Sequence, residues 1–83
     1  MKHNLKIEVW NATAKIEGNK FIEIREDRGF QKGDRVVYKP IDENGIWAPH
    51  DIERKEFEIT FVTAYKQQPG WVAFCEKEVK HVN

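Results

Sequence analysis

Apolar and charged residues alternate at the start of the chain, in the order Leu5-Lys6-Ile7-Glu8-Val9. Successive side chains of a strand point to opposite faces, so this alternation predicts a strand with one buried face over residues 5–9.

A short helix is predicted over residues 10–17, with a glycine at its end. On a helical period one row holds Trp10, Thr13, Ala14 and Glu17, and the adjacent row holds Ala12 and Ile16. Neither row is strongly apolar, so the helix is expected to lean on a sheet. Gly18-Asn19 then ends the helix, because glycine adopts the left-handed conformation at little cost.

A second strand is predicted from Phe21 to Arg25. Ile22 and Ile24 share one face, where we expect them to join the core. Glu23 lies on the opposite face with Phe21 and Arg25.

Glycine-containing turns divide the rest of the chain into strands. Turns are predicted at 26–29, 32–34, 42–45 and 67–70, and strands at 35–39, at about 55–65 and at 71–75. Phe30 is expected to anchor its loop, and Pro40 to stop the third strand. Residues 46–50 continue as a loop. The long strand would carry on one face Phe57, Ile59, Phe61, Thr63 and Tyr65. The polar tail, 76–83, is expected to fray.

About five strands and one helix in 83 residues predict a single, mainly β (α+β) domain spanning residues 1–83. Small domains of this kind often close into a barrel, because closure removes exposed sheet edges. Hydrophobic residues make up 40% and charged residues 34% of the chain, which is typical of a globular protein rather than a disordered one.

The charge balance counts against strong, sequence-independent binding of nucleic acid. Fourteen basic residues balance fourteen acidic ones, whereas such binding depends on surplus basic charge. Residues 1–39 nevertheless carry nine basic and six acidic groups, enough for a local basic patch. With no apolar run suited to a signal peptide or a membrane span, we expect a cytoplasmic protein with no membrane partner.

Neither the cysteine nor the histidines point to a cofactor. Cys75 lies in an apolar run and is expected to be a buried structural thiol. His3, His50 and His81 lack the spacing of a zinc site, so we expect no metal and no other cofactor.

Three ionisable residues lie together where the predicted helix meets the second strand. Glu23 and Arg25 share a strand face at a spacing of two, and Lys20 stands at the strand's start. One interpretation is a surface ion pair, which contributes ~0–1 kcal/mol. The other is a binding site.

This segment, Gly18-x-Lys20-x-x-Glu23-x-Arg25, matches every fixed position of the signature G-x-K-x-x-E-x-R of the ASCH (activating signal cointegrator homology) domain. The chain also resembles a small bacterial branch of that superfamily, a domain of unknown function, over about residues 3–77. The further matching segments are His3-x-Leu5-Lys6-Ile7, Phe30-x-x-Gly33-Asp34 and Gly70-Trp71-Val72.

The resemblance implies a PUA-like β-barrel with the helix packed beside it and a cleft between them that binds RNA or a nucleotide. Lys20 and Arg25 would contact phosphate or a base edge. Glu23 would orient Arg25 or accept a hydrogen bond from an exocyclic amine, as an ionised carboxylate can. Arg28 could extend the patch.

Two aromatic residues are candidate stacking platforms. RNA-binding proteins hold unstacked bases against aromatic faces. Trp47 lies in a predicted loop and Tyr65 at the end of a predicted strand, so both could present a ring to solvent.

An enzymatic role is the alternative. Some small bacterial relatives resemble amidohydrolases that act on acylated cytidines, with a lysine, a threonine three positions later and a distant glutamate. Lys20 fits the lysine, but Glu23 stands where the threonine would be. Thr60 or Thr63 could supply a hydroxyl, and Glu58 or Glu76 the distant acid. A ribonuclease using Lys20, Arg25 and Glu23 is also conceivable. The sequence favours binding over catalysis.

Overall fold

The computed structural model describes residues 1–80. Its elements are β1 (Lys2–Glu8), α1 (Val9–Ile16), β2 (Ile22–Glu26), β3 (Arg35–Ile41), a 3₁₀ helix (Asp51–Arg54), β4 (Phe57–Thr63) and β5 (Trp71–Glu78). The predicted five strands and one helix are confirmed, whereas the 3₁₀ helix was not predicted. His81 and the end of the tail, 81–83, lie outside the described residues.

The strands form one curled sheet in the order β1-β3-β4-β5-β2. β1 runs parallel to β3, and the other neighbours are antiparallel. β1 and β2 are therefore the two edges, and the curl brings them close: the Arg25 Nη2 of β2 donates to the Lys6 carbonyl of β1 at 2.9 Å. The sheet is a half-barrel with an open seam between β1 and β2, and α1 packs against β1, β3 and the 3₁₀ helix.

The core fills the concave side of the sheet. Its buried members are Leu5, Ile7, Ala12, Phe30, Val36, Tyr38, Ile52, Phe57, Ile59, Val72 and Phe74. Phe30 anchors its loop as predicted, because its ring lies 4.6 Å from that of His3 and 4.9 Å from that of Phe74. Asp34 fixes the start of β1 to the same loop by accepting from His3 Nε2 at 2.8 Å and from the Gln31 amide at 3.1 Å.

The predicted inward face of β2 is wrong. Ile22 is 50% and Ile24 57% exposed, whereas Glu23 is buried. Pattern alone assigns the isoleucines to the core because apolar side chains lose more by exposure than charged ones. In the fold, Lys15 is buried on the concave side, and its ammonium group needs a counter-charge there. Glu23 supplies it, and strand alternation then turns both isoleucines outward.

β4 does not keep one face along its length. Phe57 and Ile59 are buried, but the register shifts by one residue between Ile59 and Phe61. This bulge reverses the alternation, so Phe61 and Tyr65 are exposed and Val62 packs against the core.

Three other expectations also need correction. β5 continues to Glu78 with Glu76 buried, so this part of the tail is ordered strand. β3 continues through Pro40. Proline is tolerated there because β3 pairs with β4 only at its first two residues, so no ladder hydrogen bond to β4 requires the missing N–H. Cys75 is only partly buried, on the outward-facing side of β5, rather than fully buried. On α1, for which no inward face was predicted, the buried residues are Ala12 and Lys15, while Trp10 and Ile16 face solvent.

Candidate functional site

The end of α1 positions the charged segment. Gly18 has φ +79°, and two hydrogen bonds close the helix: the Gly18 amide donates to the Lys15 carbonyl at 3.1 Å and the Asn19 amide to the Ala14 carbonyl at 2.9 Å. This is a Schellman motif, in which glycine takes the left-handed position. The chain then reverses, so that Lys20 follows the helix directly and β2 runs back along β5.

Glu23 is the centre of a group of cations. Its Oε1 accepts from Arg25 Nη2 at 2.8 Å and from Arg25 Nε at 3.1 Å. Its Oε2 lies 2.9 Å from Lys20 Nζ and 3.2 Å from Lys15 Nζ. Lys20 Nζ also donates to Asn11 Oδ1 at 2.7 Å. The Glu23 side chain is 3% exposed, so the surface ion pair considered from the sequence is in fact a buried carboxylate shared by three cations.

A second, deeper layer supports this group. Lys15, whose side chain is fully buried, also pairs with Glu76, which is equally buried. The Tyr38 hydroxyl donates to the Glu76 carboxylate at 2.7–2.8 Å. The Lys15 ammonium lies 5.2 Å from the centre of the Tyr38 ring, in the range of a cation–π contact. Lys15 therefore connects the two buried carboxylates.

Burial raises the pKa of both carboxylates, but the net shifts have opposite directions. Burial pushes the pKa of Glu23 upward, but the charge of Lys15, with Lys20 and Arg25, holds it below its usual value of 4.5. Burial raises the pKa of Glu76 above that value, and the pull of Lys15 does not compensate. Burial and the nearby Glu76 also raise the pKa of Tyr38 well above its usual range, so its hydroxyl remains a donor.

A cleft of about 510 Å³ opens beside this cluster, along the seam of the half-barrel. Its lining residues are Lys6, Ile7, Glu8, Asn11, Lys20, Ile22, Glu23, Ile24, Arg25, Ile41 and Trp71. Its volume is within the range of ligand sites. Side chains of Lys20 and Arg25 remain 29% and 26% exposed, so both cations are accessible from the cleft while Glu23 holds them from behind.

The structure brings together three of the six residues proposed from the sequence, namely Lys20, Glu23 and Arg25. Arg28 lines an adjoining hollow of about 310 Å³ with Arg25, Glu26 and Trp71.

The two proposed aromatic platforms are exposed but are not among the lining residues of the cleft. Trp47 donates its indole N–H to Glu53. Tyr65 lies beyond the end of β4.

Lys15, Asn11 and Trp71 are parts of the site that sequence reasoning missed. Lys15 follows Ala12 by three residues, and this spacing places both on one helix face. A lysine on the same face as a small apolar residue was therefore the sequence signal that could have indicated a buried cation. Trp71 lines both the cleft and the hollow beside Arg28. Its position at the seam depends on the pairing of β2 with β5, for which the sequence holds no local signal.

The residues considered for hydrolysis are separated. Glu76 belongs to the buried cluster, whereas Glu58 lies 3.5 Å from Arg35 on another part of the sheet. Thr60 and Thr63 are absent from the lining of the cleft, and Thr63 Oγ1 accepts from the Tyr65 amide. Among residues 1–80 there is no group of three or more side chains suited to a metal ion. None of the helices in that range is long and apolar enough to cross a membrane.

The fold and the site together define a small half-barrel domain whose open seam holds a charged cleft. The chain belongs to the family described as Domain of unknown function (DUF3850), whose model matches residues 2–75. No significant match is found among curated proteins.

Proposed function

We propose that the cleft binds a phosphate-bearing ligand, either RNA or a nucleotide. The observation that carries this proposal is the way in which buried Glu23 fixes Lys20 and Arg25 at the wall of an open cleft. Arg25 Nε and Nη2 already donate to Glu23 and to the Lys6 carbonyl. The two N–H groups of Nη1 remain for a ligand and are held in a fixed direction, which suits a charge-assisted hydrogen bond to phosphate. The resemblance to ASCH and PUA-like domains supports the same ligand class.

The charges at the cleft favour an anion locally although the whole chain is neutral. Lys6 forms no ion pair within residues 1–80, and Glu8 accepts from the Trp10 indole. The lining of the cleft therefore contains three cationic side chains, those of Lys6, Lys20 and Arg25, and two carboxylates, those of Glu8 and Glu23. This small surplus suits a few phosphate contacts rather than strong general attraction to nucleic acid.

The test is a titration of labelled single-stranded RNA, followed by fluorescence anisotropy at several salt concentrations. Lys20→Ala and Arg25→Ala should each weaken binding about ten- to hundredfold, since a hydrogen bond to a charged group contributes about 1.5–3 kcal/mol. Each should also lower the slope of log K against log salt by about 0.7, the share of one phosphate contact on a single strand.

Lys32→Ala and Arg54→Ala are the matched controls, because both remove one exposed positive charge from a residue that does not line the cleft. Absence of binding at low salt, or equal weakening in the controls, would contradict the proposal. Shortening of the RNA, or release of the acyl group from an acylated cytidine, would instead favour the hydrolase alternative.

Trp71 is expected to stack on a base of the ligand. Trp71→Ala should weaken RNA binding by about 1–3 kcal/mol, the contribution of one base–aromatic stack. Trp47→Ala and Tyr65→Ala remove aromatic rings outside the cleft and should leave the dissociation constant unchanged. The three variants can be compared in the same anisotropy titration. A loss confined to Trp47→Ala or Tyr65→Ala would show that the ligand lies elsewhere.

A further inference from the structure

The convex side of the sheet carries an apolar surface that the fold does not use. Cross-strand registers place Cys75 of β5 between Ile22 of β2 and Phe61 of β4, and Ala73 beside Ile24. We call these five residues the outer apolar face. Ile22, Ile24 and Phe61 are each half exposed or more, although solvent-facing strand positions are ordinarily polar.

We propose that the outer apolar face is the interface of a homodimer, in which two copies pack sheet against sheet. Its exposed apolar area is on the order of 300–400 Å². Homodimer interfaces are about 65% apolar, so an area of this size suits about 500–600 Å² per copy. This corresponds to the lower end of specific interfaces, and the dimer is therefore reversible and concentration-dependent.

Charges at the two ends of the face define how the copies are related. Lys77 follows Cys75 on the same face of β5, and Glu26 ends β2 beside Trp71 at the opposite end. Both are exposed, and neither forms an ion pair within residues 1–80. Glu58 lies opposite Lys77 on β4 but already pairs with Arg35. A two-fold axis lying across the strands brings Lys77 of each copy toward Glu26 of the other, whereas an axis along β5 brings Lys77 against Lys77.

A second copy is favoured over another occupant because the face is complementary to itself in this orientation. The interface would also border the proposed ligand site, since Ile22 and Ile24 line the cleft as well. The dimer itself requires no ligand and does not depend on the proposed function.

Sedimentation equilibrium of the full chain under reducing conditions tests the proposal. The wild type should show a monomer–dimer equilibrium at micromolar to submillimolar concentrations. Ile24→Lys and Phe61→Lys should each weaken dimerisation at least tenfold. Ile46→Lys is the matched control, because Ile46 is 63% exposed on a loop outside the face, and it should leave the equilibrium unchanged. Circular dichroism establishes that each variant is folded.

Charge reversal tests the orientation separately. Lys77→Glu and Glu26→Lys should each weaken the dimer, and the double variant should restore it. A wild type that stays monomeric, a dimer that survives both Ile24→Lys and Phe61→Lys, or assembly into open-ended oligomers would overturn the proposal. Failure of the double charge reversal to restore the dimer would overturn the two-fold axis across the strands.

Discussion

Replacing Lys15 by methionine is expected to destabilise the domain by about 3–5 kcal/mol at neutral pH, because breaking a buried ion pair leaves uncompensated charge in the interior. Glu23 would keep its contacts with Lys20 and Arg25, but Glu76 would keep only the Tyr38 hydroxyl. A loss of this size is a large part of the free energy of unfolding of a native protein, which is about 5–15 kcal/mol. Urea unfolding followed by circular dichroism measures it.

Two further variants make the Lys15 experiment specific. Lys39→Met removes an exposed lysine from β3 and should change stability by less than about 0.5 kcal/mol. Adding Glu76→Gln to Lys15→Met should recover part of the loss, because both members of the ion pair are then neutral. If Lys15→Met proves as stable as Lys39→Met, the buried network does not hold the fold together.

Acidification is expected to unfold the domain through Glu23. Its pKa is lower in the folded chain than the usual 4.5, so below this value the unfolded state binds more protons. The stability that Glu23 contributes is therefore fully present above pH 4.5 and is lost as pH falls through its folded pKa. Asp34 acts in the same direction, because its hydrogen bond from His3 lowers the pKa of that carboxyl. Glu23→Gln should be less stable at neutral pH by about 1.5–3 kcal/mol and should lose less on acidification.

Glu76 gives the opposite dependence and serves as the internal comparison. Its pKa is raised in the folded chain, so its contribution declines as pH rises from 4.5 through its folded pKa. The wild type should therefore be most stable in mildly acidic solution, and Glu76→Gln should flatten the neutral side of the profile only. Thermal unfolding from pH 3 to pH 8 measures all three proteins. An acid limb as steep in Glu23→Gln as in the wild type would contradict the assignment.

Local patterns sufficed for much of the fold. Alternation predicted β1 with Leu5 and Ile7 buried, and Gly18 predicted the end of α1. Local patterns failed where a contact outside the local pattern determines which face of a strand is buried. On β2 the inward side is set by Lys15, and on β4 by a bulge between Ile59 and Phe61. Neither the buried counter-charge nor the bulge can be recognised from the alternation of apolar and polar residues within the strand.

The candidate site was likewise predicted only where its residues are close in the chain. Lys20, Glu23 and Arg25 are close in the chain, so one short strand and one turn bring them together. Lys15 and Glu76 are 61 residues apart and meet only because α1 lies against the concave face of the sheet. Trp71 reaches the cleft only because β2 pairs with β5.

The sequence by itself thus determined the number and type of elements and the charged segment that follows the helix, because these depend on residues within a few positions of one another. The tertiary structure decided which face of β2 is buried, which cations share Glu23, and where the cleft opens. These features depend on the curl that brings the two edge strands together and on the cost of leaving Lys15 without a counter-charge inside the domain.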